Sequence, residues 1–428
     1  MNQTMSIRPL SAPIEAVFRV PGSKSITIRA MACAAMATGR SHIYGALAAE
    51  DTQAMARALA GFGVSLDDHG EPWVIDGLGR HLRAPNQPID AGESGLTARI
   101  SMVMASLADG GDTTIDGLGR LRERPIRDLV DVLVSQGVAI TTTDGFLPVT
   151  IGGQSGLWGE EMEVDCSRSS QFATALLIGS PMASRPSVVK LNGLQGSSGY
   201  LDVTVDVMEK FGANVEPTIT GFDVAATRYE STDFVVEPDA SAAVYPMTAA
   251  AITSGRVELD GLRATTRQPD MAVAGILEMM GCRLEDGEVG LVIDARGIEL
   301  QAVDVDLSGS PDGALAVGIA CLFASGESRL GGLSSLRHKE SDRMAALTAE
   351  IGKLGGDIAI EEDSLRISGS SLHAGVVDSH GDHRVAMSLA LIGLVTPGIE
   401  VSHPEVVNKT WPGFWAAFGA GNTQQSPG

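Results

Sequence analysis

The chain repeats one long pattern of apolar and polar positions. A stretch rich in Ala, Gly and Leu ends, a short alternating stretch follows, and then comes a turn, usually Gly-Leu. The alternating stretches read SHIYGAL, TTIDGLG, VVKLNGL, VELDGLR, SRLGGLS and IEVSHPE. Their turn positions are Gly45, Gly117, Gly193, Gly261, Gly332 and, sixth, Pro404, at intervals of 72, 76, 68, 71 and 72 residues. Beyond each turn, apolar residues at helical spacing run up to a glycine: Gly63, Gly137, Gly212, Gly281, Gly355 and Gly419. A glycine there stops a helix, because it takes the left-handed conformation without a steric penalty. A second helix opens later in each unit, at PGSKS (21–25), AGESG (91–95), SRSSQ (167–171), EPDAS (237–241), SPDGA (310–314) and HGDHR (380–384). Ser, Asp and Gly in these stretches suit N-caps. The chain therefore reads as six β–α–β–α-type units, an α/β protein with a fixed long period. In the first, Pro21-Gly22 ends the strand-like run Ala16–Val20, and a helix is expected from about Ser25 through Thr38, stopped at Gly39.

Composition narrows what such a chain can do. Its 428 residues, 44% hydrophobic and 20% charged, suit two or three soluble domains with ample core. The formal net charge of −22 argues against binding to a nucleic-acid backbone. No run of about 18 apolar residues occurs and no signal-like segment opens the chain, so a cytoplasmic protein with no membrane partner is expected. Cys33, Cys166, Cys282 and Cys321 are widely spaced, which suits buried free thiols in a reducing compartment. Residues 421–428 (GNTQQSPG) read as a disordered tail.

Against this acidic background, basic and polar residues collect at helix starts. One family carries Glu50-Asp51-Thr52, Arg122-Glu123-Arg124, Ser197-Ser198-Gly199-Tyr200, the run Arg337 to Arg343, and Asn408-Lys409-Thr410. The other carries Lys24-Ser25, Gly95 to Arg99, Ser169-Ser170-Gln171, Asp239, Asp312 and Asp382-His383-Arg384. Helix N-termini present unpaired N–H groups and a positive dipole end, which favour anions. Lys24, Arg29, Arg124, Lys339, Arg343, Arg384 and Lys409 would add full charges. The chemistry this points to is a small substrate with several phosphate and carboxylate groups.

These motifs, in this order, resemble the 5-enolpyruvylshikimate-3-phosphate (EPSP) synthase family of enolpyruvyl transferases, from Pro21 to about Pro412. The matching stretches are PGSKSITIR (21–29), DAGESGLTAR (90–99), RERPI (122–126), SSQF (169–172), S-x-x-Y-x-D-V-T (197–204), EPDAS (237–241), HKESDR (338–343), DHR (382–384) and K-T-x-P (409–412). The resemblance implies a two-domain inside-out α/β barrel of six βαβαββ repeats, three per domain, with helix N-termini facing an interdomain cleft. Residues 1–20 with 239–428 would form one domain and 21–238 the other. The implied reaction transfers the enolpyruvyl group of phosphoenolpyruvate to the 5-hydroxyl of shikimate 3-phosphate, by addition and elimination through a tetrahedral adduct. Shikimate 3-phosphate would meet Lys24, Ser25, Arg29, Ser169, Ser170, Gln171, Ser197, Tyr200, Asp312 and Lys339. Phosphoenolpyruvate would meet Lys24, Gly95, Arg124, Gln171, Arg343, Arg384 and Lys409. Asp312 would be the base toward the acceptor hydroxyl, and Glu340 with Lys24 the proton donor and acceptor at the methylene carbon. No metal and no organic cofactor are implied, and a monomer is expected.

The chain departs from the family pattern at Ile28, Glu93, Leu96, Ser198-Gly199 and Ser335-Leu336. Glu93 would repel phosphoenolpyruvate unless it pairs with a cation such as Arg124 or Lys409. These departures leave the cations in place, so they bear on affinity, inhibitor response and acceptor choice. Three alternatives stay open at this point: the sister transferase acting on UDP-N-acetylglucosamine, a paralogue with another hydroxylated acceptor, and a non-catalytic binder of shikimate-like ligands. The first lacks support, because no cysteine lies in the loop Leu118–Arg124 and Ser25 follows Lys24 where that family carries Asn. Gly95 leaves room for the inhibitor glyphosate, with Leu96 beside it.

Overall fold

The computed structural model describes residues 4–153, 156–193 and 199–419. The predicted tail at 421–428 lies outside them. The chain divides into two compact units: Gly22–Glu237, and the residues up to Pro21 together with those from Pro238 onward. Each has its own buried apolar core.

Six sheets among the described residues share one plan. A central strand has a parallel neighbour on one side and an antiparallel one on the other, which in five of the six belongs to a hairpin. In the unit Gly22–Glu237 the central strands are Ala37–Tyr44, Thr113–Asp116 and Ser187–Asn192. They pair antiparallel with Trp73–Leu78, Phe146–Ile151 and Gly221–Val224. Burial alternates along these hairpin strands, as in Phe146–Ile151, where one face packs inward and the other meets water. In the other unit the central strands are Arg256–Asp260, Glu327–Gly331 and Ile399–Ser402.

Both units are closed by strands remote in sequence. The first sheet of Gly22–Glu237 takes its parallel strands, Tyr229–Glu230 and Asp233–Val235, from the end of that stretch. Glu15–Phe18, which precedes it in the chain, pairs instead with Arg256–Asp260 in the other unit. There the sheet around Ile399–Ser402 is completed by Thr4–Ser6 rather than by a hairpin.

Two kinds of helix follow from two hydrophobic patterns. The helices Lys24–Met36, Gly95–Leu107 and Gln171–Gly179 are buried almost all round and pack on one another. Ala240–Ile252, Ala314–Cys321 and His383–Ile392 do the same in the other unit. Their apolar and small residues leave no polar face because no face meets water. Helices such as Arg127–Ser135 are amphipathic and lie outside, burying Leu129, Val130, Val132 and Leu133.

All six predicted starts of the inner helices are found, with Ser23, Ser94, Ser170, Asp239 and Asp382 as N-caps and a short 3₁₀ turn, Pro311–Gly313, before Ala314. The six predicted stop glycines all have positive φ, from 66° to 109°. Two local expectations are corrected. The first helix ends at Met36, and Ala37 opens a strand at once, because Thr38 and Gly39 already pair with Leu78 and Gly77. Gly39 therefore lies inside a strand. In the sixth repeat the left-handed turn residue is His403 (φ 53°) rather than Pro404, whose ring excludes positive φ.

No helix among the described residues is long and apolar enough to cross a membrane. All four cysteines are free and buried. Burial pushes the Cys33 and Cys166 thiols up to about 12, and those of Cys282 and Cys321 up to about 11.

Two outcomes follow. Thiolates are the reactive form, so at pH 8 a maleimide or Ellman's reagent should leave all four cysteines unmodified in the folded protein and label all four in denaturant. Gly63→Ala should destabilise its unit by about 1–2 kcal/mol, measured by urea unfolding, because φ is +87° and an L side chain is strained there although the nearest neighbouring atom is 3.7 Å from its Cβ.

Candidate active site

In the unit Gly22–Glu237 the site starts from the helix at Lys24. Ser23 holds an extended conformation and donates its N–H to the Glu237 carbonyl at 2.8 Å. Thr27 bonds back to the Ser23 carbonyl and accepts the Leu47 N–H, so this helix start and the following loop are tied together. Lys24 Nζ lies 3.2 Å from Asp51 Oδ2, at the start of the outer helix Glu50–Gly61.

Arg29 is fully buried. Its Nε donates to Thr204 Oγ1 at 2.8 Å, one terminal nitrogen to the Ser25 carbonyl at 2.8 Å, and the other to Thr174 Oγ1 and the Tyr200 carbonyl at 3.3 Å each. The guanidinium also lies 5.9 Å from the centre of the Tyr200 ring. All of these acceptors are neutral, and among the described residues no carboxylate lies within ion-pair distance of it. Burial lowers its pKa to about 10, so it stays cationic at neutral pH. The structure thus joins Arg29 to Ser25 and Tyr200, two of the other residues that the resemblance assigns to shikimate 3-phosphate. Ser170 occupies the N-cap position of the helix that begins at Gln171, without a side-chain cap bond, and the Gln171 N–H donates to Ser169 Oγ at 3.3 Å. Ser197 lies outside the described residues.

Gly95 is the first residue of its helix. A Cβ there would overlap the Arg99 guanidinium and stand 3.2 Å from Gln171 Oε1 and 3.4 Å from Arg124 Nη1. Gly95, Gln171 and Arg124, from three separate motifs, therefore converge. Arg99, inside the stretch DAGESGLTAR, joins them, with its guanidinium 5.2 Å from the Phe172 ring centre. The neighbouring Arg122 is occupied elsewhere, in a bidentate pair with Asp116. Glu93 is exposed, and its carboxylate packs against the Gly119 turn. Ile28 and Leu96 are core residues.

The other unit holds a dense ionic network. Arg343, the first residue of the helix Arg343–Lys353, is 1% exposed and grips three carboxylates. Its nitrogens lie 2.7 Å from Asp312, 2.9 Å from Glu340 and 2.8 Å from Asp382. Lys339 and Arg384 also reach Asp312, at 3.3 and 3.4 Å, and Lys409 reaches Glu340 at 3.3 Å. Lys339 thus pairs with Asp312, and Lys409 takes the second place beside Glu340. Four cations face three carboxylates, delivered by a 3₁₀ turn at Pro311–Gly313, two helix starts, and the end of the 3₁₀ helix Pro404–Lys409.

Electrostatics follow from these contacts. Burial alone would raise the Asp312 carboxyl, but Lys339, Arg384 and Arg343 outweigh it and hold it well below the usual range. Asp382 is completely buried. It accepts from Ser341 Oγ, from Arg343 and from the Arg384 N–H, which fixes how Arg384 enters its helix. Burial pushes His383 well below its ordinary value, with Arg384, Lys409 and Arg343 adding to the effect against the opposing pull of Glu340, so its imidazole is neutral. Sequence reasoning did not assign Asp382 or Arg99 to the site, although each sits inside a motif it had marked. No group of acidic, His or Cys residues among the described ones is arranged to hold a metal ion.

Comparison with known proteins bears on the whole chain. Residues 10–418 match the family model described as EPSP synthase (3-phosphoshikimate 1-carboxyvinyltransferase). A 3-phosphoshikimate 1-carboxyvinyltransferase of Methanoculleus marisnigri is 36% identical over 415 residues, covering 95% of this chain and 97% of the relative. One from Syntrophobacter fumaroxidans is 38% identical over 419 residues, covering 96% and 98%. The structure of EPSP synthase from Acinetobacter baumannii superposes with a TM-score of 0.82 at 28% identity, over 97% of both chains. With its length, its repeated fold and its motifs all matched, the chain belongs to the EPSP synthase (3-phosphoshikimate 1-carboxyvinyltransferase) family.

Proposed function

We propose that this protein transfers the enolpyruvyl group of phosphoenolpyruvate to the 5-hydroxyl of shikimate 3-phosphate and releases phosphate. The observation that carries the reading is the network in which Asp312 and Glu340 share four cations drawn from three segments of the chain. Acid–base groups held among phosphate-binding cations are what this reaction requires. The two compact units are read as its two three-repeat domains, and the protein as a cytoplasmic monomer.

In this reading Lys24, Ser25, Arg29, Ser169, Ser170, Gln171, Ser197, Tyr200, Asp312 and Lys339 hold shikimate 3-phosphate. Lys24, Gly95, Arg124, Gln171, Arg343, Arg384 and Lys409 hold phosphoenolpyruvate. Arg29 supports the acceptor site in two ways. Among the described residues its buried charge is met by neutral groups, and it fixes the carbonyls of Ser25 and Tyr200. Asp312 takes the proton of the 5-hydroxyl as that oxygen attacks C2 of phosphoenolpyruvate. Glu340, with Lys24, delivers a proton to the methylene carbon, which completes the tetrahedral adduct. Removal of a proton from the resulting methyl group then expels phosphate and restores the double bond.

A carboxylate held by three cations is a weak base. Anionic substrates resolve this conflict, because their phosphates and carboxylates compete for Lys339, Arg343 and Arg384. As those charges turn to the substrate, the proton affinity of Asp312 rises toward what the attack requires.

Purified protein should release phosphate only when shikimate 3-phosphate and phosphoenolpyruvate are both present; no release from the pair would overturn the reading. Asp312→Asn should lower kcat by about 10²–10⁴-fold while the protein stays folded by circular dichroism. Lys24→Ala should abolish measurable turnover, a loss of at least about 10³-fold, because it removes a charge from both substrates and a proton carrier; near-normal turnover in this variant would remove Lys24 from the site.

A further inference from the structure

A second carboxylate, apart from the residues assigned above, braces the segments that carry the phosphoenolpyruvate cations. Glu350 lies on the helix that begins with Arg343, seven residues further along, so the two side chains share a helix face. It is 1% exposed. Glu350 Oε2 accepts the Asp378 N–H at 3.0 Å, Oε1 pairs with His380 Nε2 at 2.6 Å, and Lys353 Nζ approaches both oxygens at 2.8 and 2.7 Å. Burial would raise this carboxyl, but Lys353, the Asp378 N–H and His380 outweigh it and hold it below the usual range.

These contacts fix one end of the turn that runs from Asp378 to Asp382. The other end is fixed by Arg343, which grips Asp382. One helix therefore pins the turn at both ends. Between the pins the backbone takes the left-handed conformation at His380 (φ 51°) and Gly381 (φ 68°). For a non-glycine residue that costs roughly 1–2 kcal/mol, which the surrounding contacts must offset. Arg384 is the second residue after the turn, following His383. The Asp378 carboxylate accepts the His380 N–H at 2.7 Å and lies 3.6 Å from His403, the left-handed residue that opens the segment Pro404–Lys409. Glu350 thus sits where the elements delivering Arg343, Arg384 and Lys409 meet.

We propose that Glu350 is a positioning residue for the phosphoenolpyruvate subsite. It touches no substrate and acts by setting the register of the Asp378–Asp382 turn and, through it, the placement of Arg384. This inference rests on the functional reading above. Misplacing one clamp by about 1 Å can cost about 10²-fold in rate.

The test compares wild type, Glu350→Ala and Glu350→Gln in the full chain. Glu350→Ala should raise the KM for phosphoenolpyruvate by about tenfold and leave the KM for shikimate 3-phosphate within about twofold. Glu350→Gln keeps the acceptor for the Asp378 N–H but loses the charge that pairs with His380 and Lys353, so it should recover only part of that loss. Equal changes in both KM values, or no change in either, would overturn the proposal. A readout without substrate guards against an Ala variant that fails to fold. In Glu350→Gln, amide hydrogen exchange over 378–384 should speed up while exchange in the helix Ala314–Cys321 stays as in wild type. Unchanged exchange over 378–384 would also overturn it. If wild type itself fails to turn over the two substrates, the functional reading falls, while the exchange result still decides whether Glu350 braces the turn.

Discussion

The grip of one buried guanidinium on three carboxylates is the constraint from which the rest of the ionic network in its unit follows. Arg343 is enclosed with Asp312, Glu340 and Asp382, and each of these belongs to a different segment or to the lead-in of its own helix. Removing a partner from such a group leaves an uncompensated buried charge, at a cost of about 3–5 kcal/mol. An ionic cluster of this kind is weak evidence for stability, since well-packed apolar residues would serve stability as well. Its value lies in geometry. Three carboxylates bound to one planar cation cannot drift independently, so the 3₁₀ turn at Asp312, the segment at Glu340 and the helix start at Asp382 hold a common register.

How much of this could be read along the chain depends on the range of the interaction. Helix starts and stops are local chemistry. A Ser or Asp cap and a left-handed glycine act within a few residues, and all six inner starts and all six stops lie where the pattern places them. The end of the first helix was not legible, because pairing of Thr38 and Gly39 with a strand some forty residues away overrides local helix preference. His403 escaped notice for a related reason. The turn is left-handed at Gly45, Gly193, Gly261 and Gly332, so in four repeats a glycine marks the place, whereas histidine carries no such mark. Within the site, the cations were legible through motifs, yet their partners were not. Lys339 adjoins Glu340 in the chain, yet its ion pair is with Asp312, and it is Lys409 that joins Arg343 at Glu340. Asp382 lay inside a marked motif, and only the fold shows that it is the acceptor for Ser341, Arg343 and the Arg384 N–H at once.

The repeat explains why the chain crosses between units as it does. Each sheet needs a parallel strand beside its central one, supplied by the preceding repeat. The first repeat of Gly22–Glu237 has no predecessor within that unit, so its last residues return to fill the place. Glu15–Phe18, left over by that closure, fills the equivalent place beside Arg256–Asp260. Two connections are the consequence, at Pro21 and at Pro238, and each is held by a backbone hydrogen bond: Ser23 to Glu237, and Asp239 to Pro21. The helices that present Lys24 and Asp239 begin directly after them. The closure that completes the sheets therefore also fixes two of the helix starts.

The protein's average charge and its local charge have opposite signs, and burial reconciles them. A formal charge of −22 spread over the surface is screened by salt within about 10 Å. The cations that matter are not on that surface. Arg29, Arg343, Arg384 and Lys409 are all buried, where the lower effective dielectric makes each charge count for more. In one unit Arg29 is met by neutral hydroxyl and carbonyl groups, and in the other Lys339, Arg343, Arg384 and Lys409 outnumber the three carboxylates Asp312, Glu340 and Asp382 by one within that cluster of described residues, a local positive excess in each case. A small polyanion gains from such an excess because the charge is already fixed in place and costs little to reorganise. An extended polyanion such as a nucleic acid gains nothing from it, since it would have to traverse the acidic exterior to reach cations that lie beneath it.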